Sequence, residues 1–120
     1  MQAEGSCALY RAFENDCFAG QTKSNTIADS LAVDVPKGGF YALKQLKRYG
    51  GRCITVSDDE ILEAQKQLAS EAGLFAEPAA AAALAGFLKA KAGLRPQASI
   101  VLLITGSGLK DIAAAARKVS

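Results

Sequence analysis

Two hydrophobic periodicities alternate along the chain and predict helices separated by short strands. Apolar residues recur at three- and four-residue spacing in five segments that we predict as helices: residues 7–15, 40–49, 58–72, 78–93 and from about 110 onward. Shorter apolar runs predict strands at residues 1–4, 52–57 and 99–104. Strands that alternate with helices favour a mainly parallel sheet with flanking helices. The expected fold class is therefore α/β, a partial three-layer αβα arrangement.

Local signals mark the starts of two helices and one loop. Ser57 and Glu60 have the spacing of a capping box, in which each side chain binds the backbone amide of the other residue. Pro78 suits the first turn of the next helix, because proline has no backbone N–H and a residue at that position does not need one for the helix hydrogen bonds. That helix is rich in alanine, which predicts burial against larger neighbours. A polar, glycine-containing stretch over residues 17–25 predicts a loop.

Composition and charge narrow the function classes. Half of the 120 residues are hydrophobic and 22% are charged, as in chains that bury a core. No apolar run approaches the length of a membrane span, and no signal-peptide pattern opens the chain, so we expect a cytoplasmic protein without a membrane partner. A net charge of +2 does not indicate nucleic-acid binding. With no histidine and no Cys-x-x-Cys motif, a zinc site has no plausible ligand set, and the three cysteines are expected to be reduced.

A glycine loop follows the last predicted strand and carries the clearest candidate chemistry. The sequence "SIVLLITGSGLKDI" at residues 99–112 passes from an apolar run through Thr-Gly-Ser-Gly into a helix. Lys110 is out of register for a phosphate-binding P-loop, and Asp111 stands where a dinucleotide fingerprint needs a third glycine or alanine. The residues alone therefore predict a polar pocket floor, with the Thr105 hydroxyl at the carboxyl end of a strand.

The segment "LLITGSGLKD" resembles the C-terminal signature of the threonine synthase family. These are pyridoxal-phosphate enzymes of the tryptophan-synthase-β type, also called fold type II. Three further stretches resemble the same family in order and spacing: "QAEGSCALYRAFE", "TIADSLAV" and the segment from "GGRCITVSDDE" to "AEPAAAAALAG". The resemblance covers nearly the whole chain and implies that it is the C-terminal part of the large domain of such an enzyme.

The resemblance implies roles for six residues. It places the Thr105 hydroxyl against the pyridine nitrogen of the cofactor, where a neutral group cannot hold that nitrogen protonated as a carboxylate would. The cofactor, pyridoxal 5'-phosphate, then acts as a moderate electron sink. The resemblance places Glu77, of a Glu-Pro motif, near the cofactor ring and Gly106 in the cofactor-binding loop. The residues that it places beside the substrate are Ala28, Asp29 and Ser30. The implied reaction converts O-phospho-L-homoserine and water to L-threonine and phosphate.

The resemblance also implies that part of the site lies outside this chain. In such enzymes the Schiff-base lysine and the loop that cradles the cofactor phosphate belong to an N-terminal part. None of the nine lysines has an apolar, pocket-like context. Lys110 is expected to have a structural or electrostatic role, and Lys118 to lie on a helix surface. We therefore expect residues 1–120 to be a single C-terminal fragment, inactive alone, with no catalytic residue and no metal ligand.

The expected partners are the N-terminal half of the same enzyme, a small amino-acid substrate, and further copies of the chain in a homo-oligomer. Three function classes stay open. The first is a threonine synthase. The second is another enzyme of the same fold, such as cysteate synthase or a serine/threonine dehydratase, although dehydratases typically carry Ser-Gly-Gly-Asn at the glycine loop. The third is a stand-alone, non-catalytic module derived from such an enzyme.

Overall fold

The architecture is known from a computed structural model, which describes residues 1–18, 20 and 23–116. Two short strands and five α-helices follow one another in these residues. In chain order they are β1 (Gln2–Ala3), α1 (Ala8–Asn15), α2 (Gly39–Arg48), β2 (Thr55–Val56), α3 (Asp58–Ala72), α4 (Pro78–Ala90) and α5 (Ile112–Ala116). Three single 3₁₀ turns occur at Asp29–Leu31, Lys91–Gly93 and Gly108–Lys110. The predicted loop at residues 17–25 lies partly outside the described residues, and Lys118 lies wholly outside them.

The two strands form a parallel pair. Gln2 is in register with Thr55 and Ala3 with Val56. The pairing extends by one hydrogen bond at each end, from the Gln2 amide to the Ile54 carbonyl and from the Glu4 amide to the Val56 carbonyl, both at 2.9 Å. Since parallel strands need a crossover connection, the helices between them follow from this arrangement. The predicted parallel α/β organisation is confirmed, with strands shorter than the sequence pattern suggests.

Helices α3 and α4 pack against each other and build most of the core. The predicted capping box opens α3: the Glu60 amide donates to Ser57 Oγ at 3.1 Å and the Ser57 amide to Glu60 Oε2 at 2.8 Å. Gly73 closes the helix in the left-handed conformation, with φ of 66°. Pro78 occupies the first turn of α4 as predicted. The buried face of α3 at Ile61, Ala64 and Leu68 meets the alanines of α4, whose small side chains let the two helices approach closely.

The segment at residues 99–104 differs from its prediction. The sequence pattern predicts a strand, but the backbone forms no sheet pairing among the described residues. An extended segment becomes a strand only when a neighbour binds its N–H and C=O groups, and the sheet in the described residues consists of β1 and β2 alone. The side chains of this extended segment alternate in exposure: Val101 is 81% and Leu103 is 71% exposed, whereas Leu102 and Ile104 are half-buried and Ile104 packs against the core. In the described part of the chain, no helix has both the length and the apolar character needed to cross a bilayer.

Candidate functional site

The candidate site is built around the junction between α3 and α4, where two loops are joined by backbone hydrogen bonds. The Glu77 amide donates to the Gly106 carbonyl at 3.0 Å, and the Gly108 amide donates to the Phe75 carbonyl at 2.7 Å. An antiparallel bridge links Ala76 to Ser107 between them. The glycine loop predicted from the sequence is thereby fixed to the Glu-Pro motif that precedes α4, although about 30 residues separate them.

Gly106 is required here because of the Glu77 side chain. A Cβ atom at position 106 would occupy the space filled by the Glu77 carboxylate. Glu77 is only 8% exposed, so its side chain is held against the glycine loop rather than in solvent. Thr105, the residue before Gly106, is exposed beside this contact. The structure thus brings together the three residues predicted to bind the cofactor: Thr105, Gly106 and Glu77.

Lys110 links the Glu77 carboxylate to a third segment of the chain. Its Nζ lies 3.2 Å from Glu77 Oε2 and 3.1 Å from Ser30 Oγ, a residue 80 positions earlier in the sequence. These three side chains border a cleft of about 170 Å³. The full set of lining residues is Asp29, Ser30, Glu77, Pro78, Ala79, Lys110 and Asp111. Two of the residues predicted to lie near the substrate, Asp29 and Ser30, therefore share a cleft with Glu77, whereas Thr105 and Gly106 are not among its lining residues.

Asp58 fixes the loop that carries Asp29 and Ser30. Its Oδ1 accepts a hydrogen bond from the Thr26 hydroxyl at 2.6 Å, and its Oδ2 accepts one from the Ile27 amide at 3.0 Å. The Thr26 hydroxyl in turn accepts a hydrogen bond from the Ala28 amide at 3.1 Å. Asp58 is the first residue of α3, so the start of this helix positions the loop.

Ala28 has a different environment from its two neighbours. Its side chain is fully buried and belongs to the core cluster with Val56, Ile61 and the alanines of α4. Its carbonyl accepts a hydrogen bond from the Leu31 amide at 2.8 Å and closes the 3₁₀ turn. In the described structure Ala28 therefore anchors the loop in the core, while Asp29 and Ser30 form the wall of the cleft.

Two positioning residues, Asp58 and Gln65, were not identified from the sequence pattern, and for a third, Lys110, only a structural or electrostatic role was predicted, without its partners. Asp58 was not singled out because a favourable interaction with the helix dipole is enough to explain an acidic residue in the first turn of α3. The specific contacts of Lys110 connect distant segments and leave no local signal. Gln65 did leave one, because it is a polar residue on the buried face of α3. Its Nε2 donates to the Ala76 carbonyl at 2.7 Å, which satisfies a backbone group next to Glu77.

One pKa shift concerns the helix start that holds Asp58. The backbone amide of Ser57 binds the Glu60 carboxylate and lowers the pKa of that group, and the Lys89 ammonium adds a smaller effect in the same direction. Lys89 Nζ lies 3.3 Å from Glu60 Oε2 and 3.1 Å from the Thr55 carbonyl. The charged form of Glu60 therefore ties the first turn of α3 to strand β2 and to α4.

The pattern of the family described as "Pyridoxal-phosphate dependent enzyme" matches residues 1–106. The chain belongs to this family. Its cofactor is pyridoxal phosphate, as the sequence resemblance implied. Two similar curated proteins are the threonine synthases of Methanosarcina acetivorans and Methanocaldococcus jannaschii, each 36% identical to the chain. The alignments cover 92% and 98% of this chain but 28% and 30% of those relatives. The chain thus spans less than a third of the length of these curated relatives.

Solved structures of the same fold type are also similar to the chain. The crystal structure of a threonine deaminase from T.th. aligns with a TM-score of 0.64 and 26% identity, over 78% of this chain and 34% of that protein. Maize serine racemase aligns with a TM-score of 0.74 over 98% of this chain and 36% of that protein, at 20% identity, which shows the shared fold alone. These neighbours confirm the predicted class, an α/β part of a fold type II enzyme.

The residues of the glycine loop fit the family's cofactor chemically. Thr105 presents an exposed neutral hydroxyl, which can donate or accept a hydrogen bond at a ring nitrogen. Gly106, next to it, has no side chain, and the Glu77 carboxylate fills the space that a Cβ atom would take there. The described residues thus offer groups for the ring side of the cofactor.

Proposed function

We propose that residues 1–120 act as the C-terminal, cofactor-ring side of a pyridoxal-phosphate-dependent threonine synthase. The observation that supports this best is the joining of three separate segments around Glu77. The glycine loop contributes Gly106 and Lys110, and the segment before α4 contributes Glu77 itself. The loop at residues 26–31 contributes Ser30. The curated threonine synthases at 36% identity support the same reaction, conversion of O-phospho-L-homoserine and water to L-threonine and phosphate by a lyase.

Each predicted site residue has a role in this proposal. When bound, pyridoxal phosphate supplies an electron sink that stabilises negative charge at substrate carbons. Thr105 offers its hydroxyl to the ring nitrogen, and Gly106 leaves room for the ring edge and for Glu77. The Glu77 carboxylate faces the same region. Asp29 and Ser30 border the amino-acid substrate, and buried Ala28 holds their backbone in place.

The proposal requires a second part of the enzyme. The lysine that binds the cofactor and the loop that binds its phosphate belong to an N-terminal half, which packs against residues 1–120 in the cytoplasm. The exposed apolar residues Val101 and Leu103 suit such packing, because burial of apolar surface is the main favourable contribution to association. The chain alone is expected to be inactive.

A dehydratase is the second candidate, and one observation favours it. The chain is structurally similar to a threonine deaminase at 26% identity. The glycine loop argues against it, since Thr-Gly-Ser-Gly stands where dehydratases typically carry Ser-Gly-Gly-Asn. Cysteate synthase and a stand-alone module are the further alternatives.

The threonine synthase and the dehydratase predict different products from the reassembled protein. The chain is mixed with the separately expressed, lysine-bearing N-terminal half and pyridoxal phosphate. Phosphate release from O-phospho-L-homoserine is then compared with ammonia release from L-threonine or L-serine. Phosphate release with equal formation of L-threonine supports the threonine synthase; ammonia release alone contradicts it. Each half assayed separately is the control, and activity of residues 1–120 alone would contradict the proposed division of the site.

A further inference from the structure

We infer that Lys110 is a positioning residue that holds the Glu77 carboxylate and the Ser30 loop in one fixed arrangement. The inference rests on the proposed function, because it gives Lys110 a role in the site that contains Glu77. It concerns contacts made within this chain, so it can be tested without cofactor or substrate.

The ion pair between Lys110 and Glu77 differs from an ordinary surface ion pair because the Glu77 side chain is largely buried. An ion pair between two exposed side chains contributes little to stability. Here the Lys110 side chain is 63% exposed, whereas the Glu77 side chain is only 10% exposed. A carboxylate removed from water needs a cation or several hydrogen bonds, and removing its partner leaves an uncompensated charge. Without Lys110, the Glu77 carboxylate is therefore expected to leave its position against Gly106.

The backbone of Lys110 is itself fixed relative to Glu77. Lys110 ends the 3₁₀ turn Gly108–Lys110, and its amide donates to the Ser107 carbonyl at 3.2 Å. The turn begins at buried Gly108, whose amide binds the Phe75 carbonyl. A Cβ atom at position 108 would lie 2.7 Å from the Phe75 ring, so the turn sits directly on this residue. Lys110 thus reaches Ser30 from a backbone that cannot move independently of residues 75–77.

Lys110 balances the negative charge of three acidic residues that line the cleft. Asp29, Asp111 and Glu77 all line the cleft, and Lys110 is the cation among its lining residues. Removal of the ammonium group leaves three carboxylates around the same space, and their mutual repulsion favours opening of the loop that carries Asp29 and Ser30. The hydrogen bond from Lys110 to Ser30 adds a direct restraint on that loop.

Hydrogen exchange of the loop amides tests the inference in the cofactor-free chain. The amides of Leu31 and Ala32 bind the carbonyls of Ala28 and Asp29 at 2.8 and 2.9 Å, so their exchange reports opening of the 3₁₀ turn. We expect K110M to accelerate exchange at both amides by about tenfold, the effect of losing one charge-assisted hydrogen bond. K110R should restore slow exchange, and S30A should reproduce part of the acceleration. Adding S30A to K110M should then give less than the sum of the two separate effects.

Two controls separate this local role from a general effect on folding. K66M removes an exposed lysine from α3, outside the residues that line the cleft, and should leave both loop amides unchanged. The Ile61 amide, bound to the Ser57 carbonyl in the first turn of α3, should exchange at the same rate in all variants. Unchanged loop exchange in K110M would overturn the inference, as would equal acceleration at Ile61. Cofactor absorbance of the reassembled enzyme tests the proposed function separately, so the two can fail independently.

Discussion

The Asp58 carboxylate binds the Thr26 hydroxyl at 2.6 Å, across 32 residues of sequence, and so connects the start of α3 to the loop that walls the cleft. The same carboxylate accepts the Ile27 amide. One acidic side chain therefore serves both a helix N-terminus and the candidate site. The helix dipole alone would be satisfied by any acidic residue in the first turn.

Replacing Asp58 should cost more than replacing its neighbour on the same helix turn. D58N loses the charge-assisted bonds to Thr26 and Ile27, and we expect a loss of about 1.5–3 kcal/mol in the free energy of unfolding. D59N is the matched control, because Asp59 is exposed in the first turn of α3 and loses only the dipole interaction, about 0.3–1 kcal/mol. Urea unfolding of both variants measures the difference; equal losses would contradict the role given to Asp58.

A side chain at position 106 should displace Glu77. In G106A the new Cβ atom meets the Glu77 carboxylate, which must move away from Lys110. We expect a destabilisation of about 1–3 kcal/mol, typical of overpacking at a close contact. G93A is the control, since a Cβ atom at Gly93 meets nothing within 4 Å.

A double-mutant cycle identifies the contact responsible. Combining G106A with E77A removes the group that the new methyl would meet, so the cost of G106A should fall in that background. Thermal unfolding of the four proteins in the cycle gives the coupling free energy. Additive effects would show that Gly106 is needed for a reason other than the Glu77 carboxylate.

The stability of the chain should depend on pH through Glu60. The Ser57 amide lowers the pKa of Glu60 in the folded state. A carboxyl group with a lowered folded-state pKa contributes stability above its unfolded pKa, and this contribution is lost as the pH falls through the folded pKa. E60Q should therefore flatten the dependence of the unfolding free energy on pH below about pH 5. An unchanged slope in E60Q would show that other carboxyl groups carry the acid sensitivity.

The exposed segment at residues 99–104 should make the isolated chain self-associate. Val101 is 81% exposed and Leu103 is 71% exposed, on an extended backbone that has no sheet neighbour in the described structure. Light scattering over a range of concentrations should show oligomers, and V101D with L103D should reduce their mass. V35D provides a control at another exposed apolar residue, 58% exposed and outside this segment. A monomer at all concentrations would contradict the prediction.

Local signals predicted the helices well and the long-range contacts poorly. Ser57, Glu60 and Pro78 act within one helical turn, so the starts of α3 and α4 could be identified from neighbouring residues. The segment at residues 99–104 was predicted wrongly as a strand, since it forms no sheet pairing among the described residues. Strand formation depends on a partner segment, and an apolar run alone does not show whether one is available.

In the candidate site, too, the local motifs were predicted and the long-range contacts were not. The family resemblance identified Thr105, Gly106 and Glu77, and the structure shows them side by side. Their functional roles stay predictions. The contact between Lys110 and Ser30 spans 80 residues and depends on the packing of the whole chain. Periodicity could not reveal it, because exposed lysines and serines are common on any surface.

The most direct test of the account is pyridoxal-phosphate absorbance after residues 1–120 are mixed with the lysine-bearing N-terminal half and dialysed. A visible band of protein-bound cofactor should appear only in the mixture. T105A should weaken cofactor binding by about tenfold, the effect of losing one hydrogen bond, whereas T105S keeps the hydroxyl and should retain the band. Two folded halves that give no band, or a band that T105A leaves unchanged, would contradict the assignment of this chain to the cofactor-ring side of the site.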